Sequence, residues 1–182
     1  MNFIKLKNNL DLANYSIDET TNSYGMEVNG VFKGIKYSKT DTTLKESLFN
    51  LIPKENRHFF DISVMQVNTY IPPHTDSNIM ATINFYIKTS NCVTQFYSFN
   101  TDAPRKEQLK TQTNGYLFSI HDLNAEDKFV ASSGEIWLLN VTKPHSVQPI
   151  ENGPVDRVAL CLSSRKYNFN ETVALLQATG AL

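Results

Sequence analysis

Cysteine is scarce: Cys92 and Cys161 stand far apart and form no CxxC pair. That excludes a disulfide-dense scaffold, fits a reduced intracellular protein and leaves room for one bridge at most. Long hydrophobic runs are absent too. No stretch approaches the roughly 18 apolar residues of a membrane-spanning helix. The opening segment, MNFIKLKNNLDLANYS, turns polar too soon for a signal peptide, so a cytoplasmic protein without a membrane partner is expected. Neither charge dominates, with 17 Lys+Arg against 18 Asp+Glu. Proteins that grip long nucleic acid carry a basic excess for the phosphates, so no such partner is expected. Repeats, low-complexity tracts and linkers are also missing, which predicts one domain over residues 1–182. Apolar residues make up 41%, roughly 45% with glycine, as in packed globular domains. A chain of this length buries about 70% of its unfolded surface without a structural metal. Any metal would therefore serve chemistry.

What is present divides in three. Residues 1–60 are mixed. Thr43 and Glu46 have capping-box spacing, and Leu44, Leu48, Leu51 and Ile52 recur at helical intervals, which predicts a helix near 43–52 ending before Pro53. Residues 61–165 carry short runs rich in Val, Ile, Phe, Tyr and Thr: SVMQVNTY, IMATINFYIK, VTQFYSF, GYLFSI, KFVA, EIWLLN, HSVQP and RVALCLSS. Turn-forming pairs such as Pro72-Pro73, Ser90-Asn91, Asn114-Gly115 and Ser133-Gly134 separate them, the pattern of a mainly β double-sheet sandwich or jelly roll. Residues 169–180 read as a C-terminal helix, with Asn170 as candidate cap and Gly180 just past its end.

Three features of the β region carry chemistry. His74-Thr75-Asp76 follows the strand ending at Tyr70; in an extended chain the imidazole and carboxylate share one face. His145 opens a late strand, and Arg157 opens the next. Two histidines and one carboxylate form the facial triad that holds Fe(II) and leaves positions open. Arg157 has the planar fork that grips both oxygens of a carboxylate. HxD alone is a common tripeptide; its order with the distal His and Arg is the stronger signal. Gln66, Asn68 and Tyr70 alternate onto one strand face, as do Asn84 and Tyr86, which suggests a polar-lined cavity. His121-Asp122 reads as a surface pair and Trp137 as core, while residues 100–115, with Arg105, Lys106 and Lys110, read as a long polar connection.

On YIPPHTD, INFYI, GEIWLLNVTKPHSV and DRVALCLS, residues 62–165 resemble the double-stranded β-helix core of the Fe(II)/2-oxoglutarate-dependent dioxygenases, nearest the prolyl and aspartyl hydroxylase type. The resemblance implies a cupin-like jelly-roll core with flanking helices. It implies that His74, Asp76 and His145 ligate Fe(II) and that Arg157 binds the C5 carboxylate of 2-oxoglutarate. With O2, an amino-acid or peptidyl substrate would be hydroxylated and succinate and CO2 released. One branch places a serine two residues after the arginine; here Ala159 stands there, leaving Tyr86 or Tyr70 to share the carboxylate. Asn84 with Tyr86 is similar to the nucleic-acid-demethylase branch and keeps a nucleobase or nucleotide as second substrate class. Asp76 fills the position that halogenating members leave small, which favours hydroxylation. Two other readings stay open: a non-catalytic β-sandwich that binds sugars or serves structure, and a cupin-type isomerase, which would need a fourth protein ligand.

Overall fold

The computed structural model describes residues 1–7, 24–25, 35–38, 42–76, 78–108 and 115–182. Short elements come first: β1 (Phe3–Lys5), β2 (Tyr24–Gly25), β3 (Ile35–Ser38) and helix α1 (Thr42–Phe49). A 3-10 turn, Lys54–Phe59, leads into β4 (Phe60–Val67), β5 (Ile71–Thr75), β6 (Ala81–Ser90) and β7 (Val93–Phe99). Then follow β8 (Lys106–Gln108), β9 (Tyr116–Phe118), β10 (Leu123–Phe129), β11 (Ile136–Leu139), β12 (His145–Gln148) and β13 (Asp156–Ser164). Helix α2 (Phe169–Ala178) closes the order. Two antiparallel sheets result, ordered β1-β11-β6-β13-β4-β3-β2 and β10-β7-β12-β5-β9-β8. The arrangement resembles a jelly roll, with helices flanking the larger sheet.

Strand β13 shows why these residues fold this way. Ala159 and Cys161 belong to the cluster between the sheets, with Met65, Tyr86, Phe96 and Val147. Their neighbours Leu160 and Leu162 point oppositely, into a second cluster behind the large sheet. That second cluster is roofed by α1 through Leu48 and by α2 through Phe169 and Leu176. A strand buried on both faces reads as an unbroken apolar run, as VALCL does. Each such leucine contributes about 1.5–3 kcal/mol by burial, so the rear core anchors the strand and frees its front face for polar groups.

Several boundaries differ from those expected. The run expected to end at Tyr70 ends at Val67, and Pro72 and Pro73 lie inside β5 instead of punctuating it. Proline supplies no N–H to a ladder. Accordingly β5 pairs with β9 only at His74 and Thr75, and its pairing with β12 shifts register between His145↔His74 and Val147↔Ile71. KFVA contributes only the end of β10, whose middle residues are exposed at the sheet edge and so carry no apolar signal. Arg105 and Lys106 lie at and in β8, so the connection is shorter than expected; Lys110 and Asn114 lie outside the described residues.

The helices stand close to where the spacing put them. Helix α1 starts at Thr42, which places Thr43 inside it and not at its cap; Leu51 and Ile52 lie past its end, held by turns to Leu48 and Phe49. In α2 the cap is Asn168, not Asn170. Its side chain accepts from the Glu171 N–H at 3.0 Å, and Glu171 accepts from the Asn168 N–H at 2.8 Å. Tertiary packing decides the offset: Phe169 must be inside the first turn to reach the rear core. Gly180 sits past the end at φ +74°, as expected. Asn168→Ala should therefore lower stability by about 1 kcal/mol, while Asn170→Ala, on an exposed helical position, should change the urea midpoint little. Equal effects of the two would place the cap elsewhere.

Candidate metal centre

Extended backbone through β5 turns His74 inward, and Asp76 follows on the same side. The Asp76 N–H donates to the Val141 carbonyl at 3.0 Å, which ties the end of β5 to the connection before β12. Across the β5–β12 ladder His145 is the register partner of His74. One ligand atom from each of His74, Asp76 and His145 lies within 4.8 Å of the others. The rings sit 4.2 Å apart at 49°, and Phe96 stacks on His145 at 5.6 Å.

Both imidazoles are oriented by the same device. Nδ1 of His74 meets the Pro72 carbonyl at 2.9 Å, and Nδ1 of His145 meets the Lys143 carbonyl at 2.9 Å. A carbonyl only accepts, so each Nδ1 carries a proton and each Nε2 is the ring atom left to face a ligand. Nε2 of His74 lies 3.8 Å from Oδ1 of Asp76. Burial pushes the His145 pKa down to about 3, with the neighbouring His74 adding to the effect and the Lys143 hydrogen bond opposing it. Burial raises Asp76, opposed by His74. Two imidazoles beside a buried carboxylate form a donor set that suits a divalent cation.

The large sheet faces this triad with a different chemistry. Arg157 is 2% exposed, and its Nη2 donates to Thr94 Oγ1 at 3.0 Å. Its guanidinium carbon lies 5.1 Å from the centre of the Tyr86 ring. Its Nε is buried with no hydrogen-bond partner, and no ion pair among the described residues involves it. Asn84 is buried on the same face and its Nδ2 lies 3.5 Å from the Tyr86 hydroxyl. Tyr70 is 43% exposed, with Tyr97 as its electrostatic neighbour. The remaining features are structural. Asp122 binds Arg105 at 3.0 Å, and Trp137 stacks on Phe129 at 4.2 Å. Both cysteines are free, and burial, then Asp76, pushes the Cys161 thiol up to about 12.

Thr94 is the residue that sequence reasoning missed. Its signal was present: in VTQFYSF, Thr94 and Phe96 alternate onto one face.

The sequence matches no family model and no curated protein. Among solved structures the chain is similar to an oxidoreductase of the 2OG-Fe(II) oxygenase family from Burkholderia pseudomallei, at 9% identity and TM-score 0.47, covering 82% of this chain and 76% of that one. It is similar also to hazelnut vicilin (9%, TM-score 0.41, 78% and 31% covered). Bacillus subtilis oxalate decarboxylase stands at 14% and TM-score 0.37, with 80% and 28% covered. This chain spans less than a third of the length of the last two. Likeness at this level says nothing of function. No helix among the described residues is long and apolar enough to cross a membrane.

The His145 shift has a consequence for the metal-free protein. The unfolded chain takes up a proton near the ordinary value of 6.5, whereas the folded chain resists until about 3. Its contribution to stability is therefore full above about 6.5 and is lost as pH falls below it. Asp76, raised in the fold, acts in the opposite sense just above the ordinary carboxylate range. Thermal midpoints of wild type and His145→Leu, measured metal-free from pH 7.5 to 5, should diverge in slope, with wild type falling more steeply. Parallel curves would show that His145 is protonated freely in the fold.

Proposed function

We propose that this chain is an Fe(II)- and 2-oxoglutarate-dependent oxygenase that hydroxylates an amino-acid or peptidyl substrate. The observation that carries the reading is Arg157: a buried guanidinium with no ion-pair partner among the described residues, its Nε unpartnered, in the same interior as the triad. Burying an unpaired charge costs on the order of several kcal/mol. A carboxylate ligand removes that cost and engages Nε directly.

The residues present fit both groups. His74, Asp76 and His145 would hold Fe(II) through two imidazole nitrogens and one carboxylate oxygen and would leave positions open for co-substrate and O2. Arg157 would bind the far carboxylate, with the Thr94 hydroxyl and Tyr86 beside it in place of the hydroxyl that Ala159 lacks. Asn84, next to Tyr86, would line the space between anchor and metal. Fe(II), when bound, supplies O2 activation coupled to conversion of 2-oxoglutarate into succinate and CO2. The protein's own work is to hold both imidazoles in the ligating tautomer, to fix the co-substrate at its far end and to keep the interior dry. Phe96, Val147 and Met65 pack the surrounding interior.

The deciding experiment is an anaerobic titration of metal-free protein with Fe(II) and then 2-oxoglutarate. A weak visible charge-transfer band should appear only with both and vanish in His145→Ala. His74→Ala and Asp76→Ala should abolish 2-oxoglutarate turnover while leaving the circular dichroism spectrum in place. Arg157→Gln should raise the 2-oxoglutarate requirement at least about tenfold, as loss of a charge-assisted bond of about 1.5–3 kcal/mol demands, with Fe(II) affinity retained. No band and no iron binding would return the chain to the non-catalytic sandwich.

A further inference from the structure

The metal triad and Arg157 are built on different sheets, so the connections that cross between sheets fix their separation. Two such crossings meet beside Arg157. One is the turn Asn91-Cys92, between β6 of the large sheet and β7 of the small one. The other, residues 149–155, runs from β12, which carries His145, to β13, which carries Arg157. That second connection has no regular structure, and residues 149–154 are exposed. Only its last residue, Val155, is packed into the core.

One side-chain amide, helped by the Asn91 carbonyl accepting from the Ile150 N–H at 3.4 Å, holds the exposed part. Asn91 Oδ1 accepts from the N–H groups of Ile150 at 3.1 Å and Glu151 at 2.8 Å. Its Nδ2 donates to the carbonyls of Glu151 at 3.1 Å and Pro154 at 3.2 Å. All four bonding positions of the amide are thus spent on one connection. Asn91 stands at φ 50°, a left-handed conformation that asparagine tolerates better than most residues. Gly153 stands at φ +146°, a conformation that glycine adopts without a Cβ penalty. The ladder carries the effect onward. Asp156 pairs with Ser90 and Arg157 with Thr89, and Thr94, just past the turn, accepts from Arg157.

The geometry points to Asn91 as a positioning residue for Arg157: it locks the two crossings together and so sets where the guanidinium stands relative to the triad. Asn91 touches neither group. Its role rests on the reading of Arg157 as the 2-oxoglutarate anchor, and a looser clamp costs co-substrate affinity because the fork is no longer preorganised.

Asn91→Gly tests this, because glycine keeps the left-handed turn and removes only the amide. Fe(II) and 2-oxoglutarate affinities would be measured anaerobically on the full chain, together with the thermal midpoint. The expected result is wild-type Fe(II) affinity with 2-oxoglutarate bound at least about tenfold more weakly. Unchanged 2-oxoglutarate affinity overturns the proposal. A parallel fall in both affinities and in the midpoint also overturns it, since that is general loosening. If wild type binds no 2-oxoglutarate, the functional reading fails, and nitrogen-15 NMR of the metal-free protein then decides the clamp. Faster solvent exchange of the Arg157 Nε–H in Asn91→Gly, with the histidine Nδ1–H signals unchanged, upholds positioning; equal exchange refutes it.

Discussion

An uncompensated cation in the interior is the constraint that organises this molecule. Arg157 occupies an inward position at the head of the apolar run VALCL. Thr94 and the Tyr86 face relieve part of its desolvation, and the Nε is left over. A fold tolerates that only if something else holds the strand in place. Here the rear core does so, with Leu160 and Leu162 packed against the helices on the opposite face. The strand thus keeps its charge inside because its other side is a hydrophobic anchor.

Dividing the chemistry between sheets follows from the same logic. The small sheet contributes both imidazoles through adjacent strands, so one ladder register fixes the pair. The large sheet contributes the guanidinium, Tyr86 and Asn84. Keeping Asp76 and Arg157 on different sheets prevents them from collapsing into an internal ion pair, which would satisfy both and leave nothing for a ligand. Opposite charges are thus held apart within one apolar interior.

Much of this was legible before any coordinates. HxD within an extended run, a distal His after Lys143-Pro144 and an Arg opening the next strand depend on local period alone, and period survives tertiary context. Boundaries depend on more. The Pro72-Pro73 pair reads as a break, yet the partner strands leave those N–H positions unused, and strand continues through them. Asn168 and Asn170 are equally good caps in isolation; the choice between them is made by Phe169 and the core it must reach. Thr94 was missed for a related reason. The alternation of VTQFYSF places Thr94 on the inward face, but only the arginine that it meets there gives the hydroxyl a role.

The connection between β12 and β13 shows the limit from the other side. Its residues look like filler, rich in Asn, Gly and Pro and exposed to water. Their importance is relational: twelve positions separate His145 from Arg157, and residues 149–155 of that path have no ladder of their own. Asn91, distant in sequence, supplies the hydrogen bonds that the path lacks. Backbone groups of an exposed connection could turn to water instead at little cost, so satisfying them is not what selects this arrangement. Rigidity is. A metal fixes its own ligands once bound, but nothing in the triad constrains a guanidinium on the opposite sheet. Its distance must be built into the scaffold, and the crossings between sheets are where that distance is set.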